Sequence, residues 1–217
     1  MAKDKNNKLY YRGDYMKLIC ETNEFEPYLE ELPEVDFSST IIQEKTSQLF
    51  SSSQSEIEKA KTAFEYVRDE ISHSWDIQSL QVTCTASEVL SEATGICYAK
   101  SNLFAALLRS QGIPTRFCYQ RLMLFNTPEK GYCIHALNAV YLKSIDKWIR
   151  LDTRGNKKGV DAQFSIKEEK LAFSVQEKYN EEDYPMIYTK PHPKTISALD
   201  KNIHALKLYE HHLPEYL

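Results

Sequence analysis

Three residues near the middle of the chain have the types and the order that nucleophilic catalysis needs: Cys97, His135 and Asp152. A thiolate attacks a carbonyl carbon, and an imidazole exchanges protons with it and with the leaving group. A carboxylate behind the ring fixes its orientation and stabilises its cationic form. Cys97 stands two residues after Gly95, at the expected first turn of the apolar stretch 96–110 (ICYAKSNLFAALLRS). A thiol there feels the positive end of the helix dipole and the free N–H groups of the first turn, and both favour thiolate. The same N–H groups can receive the oxyanion formed on attack. Each residue alone has an ordinary explanation. Free cysteines are commonly buried packing groups, a lone strand histidine is commonly a satisfied core or surface group, and an aspartate opening D-T-R-G-N is commonly a turn residue. The expectation of chemistry rests on the ordered set.

The elements that must position this set can be read from periodicity. Ser55 and Glu58 form a capping box ahead of Ile57, Ala60, Phe64, Val67 and Ile71, which recur at helical spacing. A short helix fits 86–93, with Gly95 just beyond its end. The stretch 96–110 is apolar nearly all round and so reads as a buried helix, closed by Gly112 and Pro114. Segments 115–125, 132–142 and 147–152 are rich in aromatic and β-branched residues. Turn formers at Asn126, Pro128, Gly131 and Ser144 to Asp146 separate them, as in an antiparallel meander. Helices followed by a run of strands give an α+β plan.

On 132–142, alternation groups Cys133, His135, Leu137, Ala139 and Tyr141 on one face. That face is expected to look at the helix beginning with Cys97, and Asn138, pointing the other way, has a structural role. Trp148, Arg150 and Asp152 share a face of the next strand. A turn centred near 144–145 brings Asp152 beside His135 or near it. Trp75 or Gln78 is a candidate lining residue and oxyanion donor, with Trp75 equally readable as an aromatic anchor. Tyr98, next to the nucleophile, and Arg154, in the loop after the aspartate, are candidate substrate-binding residues. Arg154 and Asn156 otherwise read as solvated turn residues. Cys20, Cys84, Cys118 and Cys133 read as packing.

The segment 95–114, GICYAKSNLFAALLRSQGIP, resembles the nucleophile region of the transglutaminase-like superfamily: Gly, one residue, Cys and an aromatic, an apolar helix, then Gly-Ile-Pro. The likeness continues through HALNAVYL at 135–142 and WIRLD at 148–152, and upstream in FEYVRDEISHSW at 64–75, covering about residues 55–156. It implies a papain-like fold, with the Cys97 helix packed on an antiparallel sheet. It also implies Cys97 as nucleophile, His135 as base and Asp152 as orienter. Three features depart from family patterns: Tyr98 stands where many members have Trp, acidic clusters for calcium are missing, and so is the paired C-x-x-C module of related glycan amidases. The implied chemistry is acyl transfer on a peptide or protein amide through a thioester. Release is to water, as in a peptidase or amidase, or to an amine, as in a transglutaminase. Hydrolysis is the expected outcome. The alternative is a peptide- or protein-binding module that keeps the fold without turnover.

Bulk properties bound the reading. The 217 residues suggest one full-sized domain with additions: an N-terminal extension (1–54) packed on the core, a catalytic core (55–180), and a Pro-containing C-terminal segment and helix (181–217). In the last, Thr195 is the expected N-cap, followed by Ile196, Leu199, Ile203 and Leu206 at helical spacing. Residues 1–50 could cross the mouth of the Cys97 site and gate it. A hydrophobic share of 42% and a charged share of 27% fit a globular protein, and a net charge of −4 offers no basic surface for nucleic acid. Only six glycines occur, and no phosphate-loop motif. Five cysteines without C-x-x-C spacing suit neither a disulfide framework nor a zinc site. With no apolar leader and no long apolar run, a cytoplasmic, membrane-free setting is expected. The reading calls for no metal or organic cofactor.

Overall fold

A computed structural model describes residues 18–217, so the first part of the expected N-terminal extension, 1–17, lies outside the described residues. Strand β1 (Ile19–Cys20) precedes helices α1 (Thr40–Leu49) and α2 (Glu56–Glu70). α2 starts at the capping box: Ser55 Oγ accepts the Glu58 N–H, and the Glu58 carboxylate accepts the Ser55 N–H at 2.7 Å. Next come β2 (Ser72–His73), α3 (Ala86–Glu92), β3 (Thr94–Gly95) and α4 (Cys97–Arg109). Every residue of α4 is buried, including Lys100, Asn102 and Arg109. β4 (Thr115–Met123), β5 (Tyr132–Leu142), β6 (Lys147–Leu151), β7 (Glu182–Asp183) and β8 (Met186–Ile187) follow, then α5 (Pro193–Asp200) and α6 (Ala205–Lys207). Helices on an antiparallel sheet make a mixed α+β architecture.

The main sheet has the order β6-β5-β4-β7, all pairs antiparallel. Its face toward α4 carries Ile134, Ala136, Val140 and Leu142, which join Leu103, Phe104, Leu107 and Leu108 in the principal core. The opposite face carries Cys118, Leu137, Ala139 and Trp148 against Cys20, Tyr28 and Ile187. This corrects one expectation. The alternation that groups His135 with Leu137 and Ala139 is sound, but that set faces away from the body of α4. Asn138 faces the helix instead, donating from Nδ2 to the Ser101 carbonyl (3.3 Å) and the Arg116 carbonyl (3.1 Å). Both sheet faces are covered by apolar groups, so the sequence pattern does not say which face the helix takes.

The C-terminal helix is shorter than expected and begins elsewhere. His192, not Thr195, is the N-cap: its Nδ1 accepts the Lys194 N–H at 3.3 Å, and Pro193 supplies the preset φ of the first helical position. α5 stops at Asp200, where the Asn202 side chain donates to the Ala198 carbonyl at 2.7 Å. Ile203 is left 96% exposed.

Candidate functional site

Cys97 is the first residue of α4, with Ile96 as N-cap. Its approach is fixed by the parallel pair β2–β3, in which Ser72 pairs with Thr94 and His73 with Gly95. The Ser74 N–H extends this ladder to the Gly95 carbonyl at 3.2 Å, and Thr83 Oγ1 donates to the Thr94 carbonyl at 2.9 Å. Gly95 is required for close approach rather than for conformation. A Cβ there would lie 3.0 Å from Thr83 Oγ1 and 3.1 Å from the Ala99 Cβ. The N–H groups of the first turn of α4 have no partner within the helix and so remain available to an anion.

His135 and Asp152 are in contact: Nε2 lies 2.8 Å from Asp152 Oδ2, with both side chains almost fully buried. Register alone does not deliver this. β5 pairs with β6 only from Asn138, which is opposite Leu151. Extended further, that register would set Asp152 opposite Leu137, two places from His135. β6 ends at Leu151 instead, and the aspartate turns toward the open margin of β5. The backbone N–H groups of Arg154 and Ala172 hold its two oxygens, each at 3.1 Å. Burial alone would raise the Asp152 pKa, but the His135 charge, its hydrogen bond and these two N–H groups bring it below the ordinary carboxylate range. Burial opposes a charged His135 ring. The Asp152 charge, the Cys97 sulfur and hydrogen bonds from the ring to both outweigh it and push the ring up to about 10. With Nε2 engaged by Asp152, Nδ1 is the nitrogen left for Cys97. The edge of the ring also meets Phe173 at 5.1 Å between centroids.

Beneath these groups lies a charged layer. Arg154 is buried, not a solvated turn residue, and its guanidinium grips both oxygens of Asp76. Lys157 Nζ adds a bond to Asp76 Oδ1 at 2.6 Å. Burial would raise the Asp76 carboxyl, but these cations hold it down at about 2. Lys100, one turn along α4 from Cys97, is fully buried and donates to the Ile71 carbonyl at the end of α2. Burial, aided by the Arg154 charge and opposed by Asp152, Asp76 and Asp69, brings it down to about 7. Asn156 leaves the turn by clamping Ala162, accepting its N–H and donating to its carbonyl.

Cys97, His135, Trp75 and Arg154 line one cleft of about 670 Å³. Its aromatic wall is a cluster in which Trp75 stacks on Tyr209 (4.7 Å) and meets Phe125 (5.1 Å). Two expected members are elsewhere. Gln78 is exposed, with φ of 54°, and its amide folds back onto the Trp75 carbonyl at 2.5 Å. Tyr98 points into the core, where its hydroxyl donates to the Ile134 carbonyl at 2.8 Å. Residues 18–50 line none of the cleft; the segment that reaches it is C-terminal, through Tyr209 and Leu213. Among the described residues, no cluster of three or more His, Cys, Asp or Glu side chains could hold a metal ion. No helix among them is long and apolar enough to cross a membrane.

Sequence reasoning passed over His73, Lys100 and Tyr209. His73 and Trp75 sit in one tripeptide, H-S-W, and a histidine beside a candidate lining residue was a usable signal. Nothing in the sequence marked Lys100 as buried beyond its place in an otherwise apolar helix.

The sequence profile of the Transglutaminase-like superfamily matches residues 43–153, just over half of the chain. The chain is also similar in structure to a candidate cysteine protease from Cytophaga hutchinsonii, at 18% identity and a TM-score of 0.49, covering 61% of this chain and 43% of that one. It is similar to a TGase at 18% identity and a TM-score of 0.41, covering 71% of this chain and 43% of that one. The chain thus spans less than half the length of either solved relative. No curated protein matches it.

Proposed function

Because the chain belongs to the transglutaminase-like superfamily, we propose that it is a cysteine-dependent acyl-transfer enzyme acting on an amide of a peptide or protein. The observation that carries this is the buried His135 ring held 2.8 Å from Asp152, in the same cleft as a cysteine that opens a helix. The Cys97 sulfur attacks the amide carbonyl carbon and an S–C bond forms. N–H groups of the first turn of α4, with the Trp75 indole, donate hydrogen bonds to the oxyanion. The His135 imidazolium gives its proton to the leaving nitrogen as the C–N bond breaks, leaving a thioester. Water or an amine then attacks the thioester, its proton passes to His135, and the thiolate–imidazolium pair returns. The same three residues serve hydrolysis and amine transfer.

The test is intact-mass profiling with an amide-mimicking electrophile and a panel of peptides. The expected result is a single adduct that maps to Cys97 and is absent from Cys97→Ala, together with acyl-enzyme from at least one peptide. Peptide binding with no adduct at Cys97 would favour a module without turnover, and a main adduct at Cys84 would overturn the assignment.

A further inference from the structure

His73 shares the cleft with Cys97 and has no part in the triad. It is 4% exposed, its Nδ1 is completely buried without a partner, and no described residue hydrogen-bonds its Nε2. An unpaired buried polar atom is costly and calls for an explanation. The ring is nevertheless firmly placed. Its backbone pairs with Gly95, two residues before Cys97, and its ring meets Tyr209 at 90° and 5.8 Å. Ring and nucleophile therefore hang from one short parallel ladder, and both border the cleft.

The charges around the ring set its form. Arg154, Lys100 and His135 act on it as cations, and Asp76 opposes them. Burial first, then Arg154, keeps its pKa well below that of an ordinary histidine. A neutral imidazole has one lone pair and one N–H. The lone pair is best placed on buried Nδ1, within the field of the cations, which leaves the N–H on Nε2 for the cleft. We propose that His73 is a substrate-binding residue, donating its Nε2–H to a carbonyl oxygen of the acyl donor. This rests on the acyl-transfer reading above and adds a recognition element to it: the preferred donor carries a carbonyl oxygen where the ring can reach it.

The test compares the alkylation of Cys97 by iodoacetamide, which has a carbonyl oxygen, with alkylation by iodoethane, which has none. Rates are normalised to glutathione and measured in the wild type, His73→Phe and His73→Gln. The wild type should favour iodoacetamide beyond the glutathione ratio. His73→Phe should lose roughly fivefold of that preference, the effect of one neutral hydrogen bond. His73→Gln, whose amide restores an N–H, should keep most of it, and iodoethane rates should agree across all three. An unchanged ratio in His73→Phe overturns the role of His73 and leaves the nucleophile standing. If Cys97 reacts with neither reagent, the acyl-transfer reading fails and the inference with it. Should His73→Phe not fold, the wild-type chain labelled with 15N-histidine answers instead, the His73 signal being the one that His73→Gln removes. The Nε2–H tautomer at neutral pH, shifted when Cys97 is carbamidomethylated, is expected. The Nδ1–H tautomer, an imidazolium, or no shift overturns the proposal.

Discussion

Two buried bases under the cleft are shifted in opposite directions, and this has a measurable consequence for stability. His135, pushed up to about 10, keeps its proton when folded; in the unfolded chain an imidazole has largely lost it above about pH 6.5. Its contribution to stability is therefore complete below about pH 6.5 and is lost as pH rises through about 10. Lys100, brought down to about 7, does the reverse. Above about pH 7 the unfolded chain holds a proton that the folded chain lacks, so stability rises with pH. Each limiting slope is about 1.4 kcal/mol per pH unit, and the signs cancel. The experiment is urea denaturation between about pH 7 and about pH 8.5, in a Cys97→Ser background that leaves one thiol fewer in the count. Unfolded thiols are half ionised near ~8.5, whereas burial pushes folded Cys84, Cys118 and Cys133 up to about 12, so these thiols lower stability by about 1 kcal/mol across the window in every chain compared. Apart from that shared fall, the parent should be nearly flat. Asp152→Asn takes away the charge that best opposes burial at His135, so its stability should climb across the window by up to about 2 kcal/mol. Lys100→Met should fall by a similar amount. Asp152→Asn should also be weaker at every pH by about 1–3 kcal/mol, because Asp152 accepts from His135, Arg154 and Ala172. The slope is the diagnostic, and parallel slopes in all three chains would refute the assignment of the buried protons.

Other outcomes can be checked with the same protein. With iodoacetamide, Cys97 should be labelled ahead of the other four thiols, and His135→Ala should weaken that lead more than Asp152→Ala; peptide mass spectrometry reads it, and uniform labelling would refute the proposed nucleophile. Cys97→Ala should abolish activity while changing stability little, whereas fully buried Cys118 truncated to Ala should cost about 1 kcal/mol or more in urea titration. Arg154→Met leaves Asp76 without its bidentate partner and should cost about 2–4 kcal/mol. Its Trp75 fluorescence should shift as the aromatic wall loosens.

Local rules were the most legible part of the sequence. The Ser55–Glu58 box, the buried helix opening at Cys97 and the two hairpin strands each depend on nearest neighbours in sequence, and each appears with its expected periodicity. The sheet face was not legible, because Ile134 and Ala136 are as apolar as Leu137 and Ala139, and only tertiary packing chooses between them. The meeting of His135 and Asp152 was legible as proximity but not as geometry. Its cause is the early end of β6, which no propensity announces. Arg154 was misjudged because turn composition predicts solvent, whereas here Asp76, far away in sequence, removes the guanidinium from water. Gln78 was misjudged because its own backbone, at positive φ, offers its amide a local acceptor.

The stretch from Asp152 to Gly155 explains why so many charges can be buried together. Asp152 and Arg154 leave one short turn in different directions. The aspartate reaches the ring on β5, and the arginine reaches Asp76 in the loop that carries Trp75. The Arg154 backbone N–H itself donates to Asp152 Oδ1 at 3.1 Å. The group that contacts His135 and the group that holds the Trp75 loop through Asp76 are therefore tied together by one hydrogen-bonded turn. Such a turn must press against the layer below it. Gly155, at φ of 107°, allows this: a Cβ there would lie 3.3 Å from the Arg68 carbonyl and 3.5 Å from Lys100 Nζ. Lys100 completes the layer from beneath by bonding the Ile71 carbonyl at the end of α2, where a cation is favoured by the helix dipole and the carbonyl has no helical partner. A lysine in an apolar helix thus has a structural reason, and its near-neutral titration follows first from burial and then from the cation, Arg154, that the same turn places nearby.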